Sequence, residues 1–171
     1  MKQITISTIA LLLTVIFNLT SCQNSDSTKI ERENEPDMFR VDEEDPEMTT
    51  AIQAAKNSLN RFDSALTSEN EKFSEFALKQ RFKTISGSEH IWVGAVYIKD
   101  GNYYGFLANQ PDKIPGLQMG DSLKIDKEKI SDWKYQIGNK VIGGFTIRLL
   151  RDKYSEEEKK QFDKETGLIF E

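Results

Sequence analysis

Apolar residues recur at steps of three and four along the chain between residues 46 and 67, which is the spacing of one face of an α-helix. The run Asp45-Pro46-Glu47 precedes this stripe and is typical of a helix start, because Asp caps, Pro fits the first turn and Glu favours the helix dipole. The pattern therefore predicts an amphipathic helix over 46–67. Its stripe consists of Met48, Ile52, Ala55, Leu59, Phe62 and Leu66.

The pattern changes to a period of about two after residue 72, which favours strands. "FSEFALKQRFKT" places Phe76, Leu78, Gln80 and Phe82 on one side. "HIWVGAVYI" and "YYGFLAN" flank the turn "KDGN", and "SLKI", "WKYQI" and "VIGGFTIRLL" add further strands. "YSEEEKKQFDKETG" predicts a closing helix. We therefore expect an α+β domain: an N-terminal amphipathic helix packed on a curled antiparallel sheet or small barrel of five to six strands, with a short C-terminal helix.

The N-terminus has a different pattern, with Lys2 followed by the nearly unbroken apolar run "ITISTIALLLTVIFNL". The sequence Leu19-Thr20-Ser21-Cys22 closes this run and resembles the lipobox of bacterial lipoproteins. The resemblance implies a signal peptide over 1–21 and a lipidated Cys22, which would attach the protein to a membrane of the bacterial cell envelope, facing the periplasm or cell surface. An uncleaved transmembrane anchor and a simple signal peptide are the alternatives.

Charge divides the remainder of the chain. Residues 23–47 contain ten acidic and three basic residues, a net charge of −7, whereas residues 48–171 are nearly neutral. An acidic segment with few apolar residues does not bury enough surface to fold alone. We therefore expect an acidic flexible tether over 22–45 and a single domain over 46–171. The sequence shows no basic patch interleaved with aromatic residues, so no nucleic acid partner is expected.

Candidate chemistry centres on His90, the only histidine of the chain. A hydrolase would need this base together with an acid, and Glu89 or Asp132 are the candidates, but no Gly-x-Ser-x-Gly elbow is present. One histidine and one cysteine do not form a zinc site, and no cofactor motif occurs, so neither a metal nor a cofactor is expected. Trp92, Asn109 and Trp133 are candidate binding residues, since aromatic and polar side chains on strands could line a cleft.

Five segments in a fixed order connect the chain to a known family: "FALKQRF", "EHIWVGAV", "YYGFLANQPDKIPGLQMGD", "ISDWKY" and "VIGGFTIRLL". Together they resemble the YegJ-like family of bacterial domains of unknown function (DUF2314), over about residues 48–152. The resemblance implies that Glu89, His90, Trp92, Asp132 and Trp133 are features of the domain. It implies no particular activity.

These observations favour a membrane-anchored, non-enzymatic domain that binds a protein, a peptide or a cell-wall component. One alternative is a hydrolase-like enzyme that uses His90 with Glu89 or Asp132. A second alternative is an immunity or defence protein that neutralises a toxin at the membrane.

Overall fold

The structure is a computed structural model that describes residues 28–32, 35–40 and 45–170. The predicted signal peptide and Cys22 lie outside the described residues. The elements, in chain order, are β1 (Thr28–Arg32), β2 (Glu35–Arg40), α1 (Pro46–Asn57), α2 (Leu59–Leu66), β3 (Phe73–Thr84), β4 (Gly87–Lys99), β5 (Asn102–Leu107), β6 (Ser122–Ile125), a 3-10 turn (Lys127–Lys129), β7 (Ile130–Ile137), β8 (Lys140–Gly143), α3 (Phe145–Asp152), α4 (Glu156–Thr166) and β9 (Ile169–Phe170).

The predicted helix start is confirmed, because the Asp45 carboxylate accepts hydrogen bonds from the backbone N–H groups of Glu47 and Met48. The expectation of one continuous helix over 46–67 is wrong, since the helix breaks at Ser58 into α1 and α2. The Ser58 hydroxyl donates to the Ala54 carbonyl at 2.7 Å and thereby competes with the helical ladder. The apolar stripe nevertheless runs across both helices and is buried at Ala55, Leu59 and Phe62.

The main sheet has seven strands in the order β6-β5-β4-β3-β7-β8-β9. All neighbouring strands are antiparallel except β8 and β9, which are parallel. The α+β class is therefore confirmed, but the expected five to six strands and the closed or barrel-like form are wrong. The sheet stays open because its two edge strands, β6 and β9, are short and do not pair with each other.

The expected strand "VIGGFTIRLL" is also wrong in its second half. Gly143 and Gly144 take positive φ angles of 81° and 67°, and the chain then enters α3 at Phe145. Two consecutive left-handed residues end a strand and reverse the chain direction, and glycine is the residue that adopts them without strain. The closing helix forms as α4 with the capping box that Ser155 and Glu158 predict.

The core lies between helices α1 and α2 and one face of the sheet. Phe62 contacts the rings of Phe76, Tyr103 and Trp133, with centroid distances between 5.7 and 6.4 Å. The strand side chains that face these helices are buried: Leu78, Gln80, Ile91, Val93, Tyr103, Leu107, Trp133 and Tyr135. The alternation expected for β3 is thus confirmed, and its other side chains point to the opposite face.

The segment expected to be a flexible tether contains β1 and β2, which pair antiparallel as a separate two-stranded sheet. Within the part of the chain that the structure describes, no helix is long and apolar enough to cross a membrane.

Candidate functional site

The face of the sheet opposite α1 and α2, here called the open face, carries most of the unusual side chains of the domain. Cross-strand register places Lys79 of β3 opposite both Trp92 of β4 and Asp132 of β7. Since side chains alternate along a strand, every second residue from these positions shares the face. The open face comprises Lys79, Arg81, Lys83, His90, Trp92, Gly94, Tyr104, Phe106, Lys124, Asp132 and Lys134.

Positive charge dominates this face. Its five lysine and arginine side chains accompany a single carboxylate, that of Asp132, which is fully buried. Arg81 and Lys83 are exposed, and Phe106, which pairs with Gly94 further along the same face, keeps 45% of its surface exposed. Exposed cations with exposed aromatic rings can attract an anionic ligand over a distance and then hold its apolar parts.

Trp92 lies at the centre of the open face and is half-buried. The Lys79 ammonium is 5.4 Å from the centroid of its ring, and the Lys134 ammonium is 5.6 Å away. Lys134 belongs to β7, two strands from Trp92, and reaches across β3 at the position of the small residue Ala77. Cation–π attraction therefore draws two ammonium groups towards one indole.

Asp132 anchors the edge of this cluster. Its Oδ1 accepts from the backbone N–H groups of Trp133 at 2.8 Å and Phe145 at 3.1 Å. Its Oδ2 accepts from the Thr146 backbone N–H at 2.8 Å and the Thr146 hydroxyl at 2.6 Å. Three of these four donors belong to Phe145 and Thr146 at the start of α3, where the helix dipole also favours a negative charge. The carboxylate thus fixes the first turn of α3 against β7.

Lys79 is connected to Asp132 through Thr146. The Lys79 Nζ donates to the Thr146 hydroxyl oxygen at 3.1 Å, and that hydroxyl in turn donates to Asp132. Burial lowers the pKa of the Lys79 ammonium, and the charge of Asp132 counteracts part of this effect. Burial raises the pKa of the Asp132 carboxyl, whereas the Thr146 hydrogen bond and Lys79 oppose that shift. Because all four direct contacts of Asp132 come from donors, the site accommodates the ionised carboxylate.

Lys134 has fewer compensating contacts. Burial lowers the pKa of its ammonium, against weaker opposing effects of Glu75 and Asp132. Within residues 45–170, its Nζ lies over the ring of Trp92 and makes no hydrogen bond or ion pair. A half-buried ammonium in this state has three unused donors.

His90 contacts a serine, as a hydrolase would require. Its Nδ1 is 2.8 Å from the Ser131 Oγ, but Ser131 is only 3% exposed and its hydroxyl donates to the Lys79 carbonyl at 3.2 Å. A hydroxyl has one hydrogen to donate, so with this arrangement Nδ1 carries the proton and the serine accepts it. The contact therefore orients both side chains and does not activate Ser131 as a nucleophile.

The two acids proposed to assist His90 are engaged elsewhere. The Glu89 carboxylate accepts from the backbone N–H groups of Asp112 at 2.8 Å and Lys113 at 3.0 Å, which holds the loop after β5. Asp132 is bound by the start of α3, as described above. The structure therefore does not assemble Glu89, His90 and Asp132 into a triad.

The three candidate binding residues have different environments. Trp92 lies on the open face, and Asn109 is exposed in the loop after β5. Trp133 is fully buried, and its Nε1 donates to the Ala55 carbonyl at 2.9 Å, so it belongs to the core and does not reach a ligand. Its register opposite Leu78 places it on the helix-facing side of the sheet.

Among the described residues, no group of three His, Cys, Asp or Glu side chains is arranged to hold a metal ion. A cleft of about 320 Å³ lies beside α2, away from the open face, and none of the predicted site residues lines it. Its lining consists of Asn60, Arg61, Ser64, Ala65, Phe73 and Tyr135.

The cations of the open face are not among the candidate residues drawn from the sequence. Lys79, Arg81 and Lys83 alternate with Leu78, Gln80 and Phe82, so the period-two pattern of β3 already contained this signal. Lys134 could not be found in this way, because its proximity to Trp92 depends on the order of β4, β3 and β7 in the sheet.

Comparisons with known proteins identify the family to which most of the chain is similar. The family described as "Uncharacterized protein conserved in bacteria (DUF2314)" matches residues 45–170. The uncharacterized protein YegJ of Escherichia coli K12 is 34% identical over 112 residues, which cover 65% of this chain and 71% of that protein.

A second relative, named as an ankyrin repeat protein of Neisseria meningitidis serogroup B, is 36% identical over 83 residues, which cover 48% of this chain and 32% of that protein. No solved structure matches the chain significantly. Since the family match covers most of the chain and the E. coli relative matches over most of its own length, the chain belongs to the DUF2314 family of uncharacterized bacterial proteins.

Proposed function

We propose that this protein is a lipid-anchored protein of the bacterial envelope whose folded domain binds an acidic segment of another protein on its open face, without catalysis. The observation that supports the binding role is the register of Lys79, Arg81 and Lys83 along β3, beside Trp92 and Phe106. Such a row matches an extended chain of acidic side chains, because consecutive outward residues of a strand repeat about every 7 Å.

Charge and aromatic contacts have separate roles in this proposal. The exposed cations Arg81 and Lys83 attract the ligand and set its orientation, which makes association dependent on salt. Trp92 and Phe106 supply apolar contact area once the ligand has docked. A ligand that lacks either acidic or apolar groups should bind more weakly.

The anchor rests on the sequence around Cys22. In that role the cysteine sulfur carries lipid, and several acyl chains together hold a protein on a membrane more firmly than one. Metabolic labelling with palmitate of cells that express the full chain tests this role, with Cys22→Ser as the matched control. Label on the wild type and none on the variant is expected; label on neither would refute the anchor.

The binding role is tested by titrating the purified domain with poly-L-glutamate and following tryptophan fluorescence. Trp133 is fully buried, so Trp92 is the reporter of the open face. We expect binding that weakens as salt is added and that falls by on the order of tenfold or more when Arg81→Glu and Lys83→Glu are combined. The control is Lys160→Glu, which reverses one charge on the exposed side of α4 and should have little effect on binding.

Three outcomes would refute the binding role. These are no binding of poly-L-glutamate in low salt, equal binding of poly-L-glutamate to the wild type and the doubly reversed variant, and weaker binding of poly-L-glutamate than of polyphosphate of similar length. The last result would favour a phosphate polymer as the natural partner instead of an acidic protein segment.

The contact between His90 and Ser131 is the one observation that favours the alternative of a hydrolase. A fluorophosphonate probe, which reacts with activated serines, tests it directly. We expect no labelling of Ser131 in the wild type, because its hydroxyl is buried and donates to the Lys79 carbonyl. Labelling at Ser131 that disappears in His90→Ala would establish the enzyme and overturn the non-catalytic proposal.

A further inference from the structure

We propose that Lys79, Lys134 and Trp92 form a subsite that takes one carboxylate of the ligand, with an apolar group of the same ligand lying against the indole. We call it the paired-lysine subsite. It deepens the proposed function and rests on it, since it names the chemical group that the centre of the open face recognises.

The charge balance of the subsite is the first argument. Two ammonium groups, Lys79 and Lys134, lie in this part of the face, and the carboxylates that act on them are those of Asp132 and Glu75. The Asp132 oxygens already accept four hydrogen bonds, from two backbone positions of α3, from Trp133 and from the Thr146 hydroxyl. Within residues 45–170, neither carboxylate forms an ion pair or a direct hydrogen bond with either lysine, so both ammonium groups retain donors for a ligand.

The hydrogen-bonding capacity of the lysines is the second argument. An ammonium has three donors. Lys79 gives one of them to the Thr146 hydroxyl, and Lys134 gives none to any acceptor in residues 45–170. Both side chains are half-buried, where unmet donors are costly and where a charge-assisted hydrogen bond is stronger than in water. A ligand carboxylate offers acceptors to both groups.

The shape of the surface is the third argument. Two small residues lie near Trp92 on the open face. They are Ala77, which pairs with Lys134, and Gly94, which is two positions along β4. A Cβ placed on Gly94 would have Ala108 as its nearest neighbour, at 3.8 Å, so the surface over this glycine is open. An apolar group can therefore approach the exposed part of the indole next to the two ammonium groups.

The net charge of the subsite also selects among anions. Because Asp132 and Glu75 already counter much of the positive charge of Lys79 and Lys134, a singly charged carboxylate leaves less unbalanced negative charge than a doubly charged phosphate. The recognised unit is thus a carboxylate close to an apolar or aromatic group, as in an acidic peptide that carries a neighbouring large apolar side chain or ends in one.

The test uses the folded protein with ¹³C-labelled lysine and two small probes, N-acetyl-L-phenylalanine and its neutral amide. We expect the acid to shift the lysine Hε–Cε signals of Lys79 and Lys134 and the amide to leave them unchanged. Lys134→Met retains the apolar stem and removes a half-buried charge, so the variant should fold. It should bind the acid on the order of tenfold more weakly. Lys124→Met is the matched control on the same face and should bind like the wild type.

Three results would overturn the subsite: equal shifts with the acid and the amide, unchanged affinity in Lys134→Met, or larger shifts with inorganic phosphate than with the acid. These results are distinct from failure of the proposed function. If poly-L-glutamate binds and Lys134→Met binds it equally well, the open face is a docking surface without this subsite. If N-acetyl-L-phenylalanine binds and poly-L-glutamate does not, the subsite stands and the extended acidic partner is wrong.

Discussion

Lys153 and Asp45 are 108 positions apart in the chain, and their side chains meet at 2.9 Å. Asp45 is the N-cap of α1 and is only 2% exposed, whereas Lys153 directly follows α3. The same ammonium lies 3.2 Å from the Glu47 carboxylate. One lysine therefore joins the start of the first helix of the domain to the end of α3.

We predict that this contact makes the domain sensitive to acid. The Lys153 hydrogen bond lowers the pKa of the Asp45 carboxyl, burial opposes this, and the backbone N–H groups of Glu47 and Met48 support it. Because the folded pKa is below the ordinary value of 3.8, the stabilisation is present above that pH and is lost as the pH falls through the folded pKa. Asp45→Asn should lower the free energy of unfolding by about 1–2 kcal/mol at neutral pH.

Urea denaturation of wild type and Asp45→Asn across the acid range measures this effect. The difference between the two proteins should shrink as the pH falls below the ordinary carboxyl value. Glu47→Gln is the control, because the Glu47 side chain is 66% exposed and should contribute much less. A difference that stays constant into strong acid would contradict the prediction.

Two glycines on neighbouring strands provide a matched pair. A Cβ on Gly105 would lie 2.6 Å from the Gly94 carbonyl oxygen and 2.8 Å from the Val93 Cγ1, whereas a Cβ on Gly94 would meet only Ala108 at 3.8 Å. We predict that Gly105→Ala destabilises the domain by about 1–3 kcal/mol, because β4 and β5 must separate. Gly94→Ala should change stability by less than about 0.5 kcal/mol. Thermal unfolding of both variants tests this, and similar melting temperatures would contradict it.

Trp133 is predicted to stabilise the packing of α1 on the sheet. It is fully buried, donates to the Ala55 carbonyl and lies 5.6 Å from the ring of Phe145. Trp133→Phe removes the hydrogen bond and part of the ring, so the free energy of unfolding should fall by about 2–3 kcal/mol. The half-buried Trp92 is the comparison, and Trp92→Phe should have less effect on the urea midpoint. A larger loss at Trp92 would show that the core is organised differently.

The hydroxyl of Tyr103 donates to the Asp63 carboxylate, and the Lys127 ammonium lies 5.6 Å from the tyrosine ring. Burial raises the pKa of the Tyr103 phenol, and the hydrogen bond and charge of Asp63 raise it further. Since the folded pKa exceeds the ordinary value of 10.0, this stabilisation is complete below that pH and is lost as the pH rises above it.

We therefore predict that the stability of the domain falls in alkaline solution and that Tyr103→Phe reduces the slope of this fall. Unfolding experiments at a series of alkaline pH values measure the slope. Tyr104→Phe, which removes a hydroxyl from the open face, should leave the slope close to that of the wild type. Equal slopes for Tyr103→Phe and wild type would refute the assignment.

The parts of the fold that local chemistry controls could be predicted from the sequence. Asp45 and Ser155 cap their helices as expected, and Asp100-Gly101 turns the chain between β4 and β5. The break at Ser58 could not be predicted from the apolar stripe, because the stripe continues across it. Phe145, Thr146 and Ile147 favour strands by propensity, so the sequence predicts a strand where α3 forms. The contacts of Asp132 that fix the first turn of α3 are tertiary, and the local sequence does not show them.

The candidate site was predictable only in part. Trp92 was identified from the sequence, and the cations of β3 were within reach of the same alternation argument. The environment of Lys134 and Asp132 depends on Ser131, an extra residue in β7 that interrupts its pairing with β3. A period-two pattern contains no information about where such an insertion occurs, so residues beyond it cannot be assigned to a face from the sequence alone.

Three irregularities of this kind interrupt the long ladders: between Ser74 and Ala77 of β3, between Gly94 and Tyr97 of β4, and at Ser131 of β7. Each one bends its strand and increases the local right-handed twist. All three strands are adjacent in the centre of the sheet, so the added twist accumulates beneath the cations of the open face. A rigid, flat ligand would therefore fit this surface poorly, whereas a flexible chain could adapt its backbone to the twist.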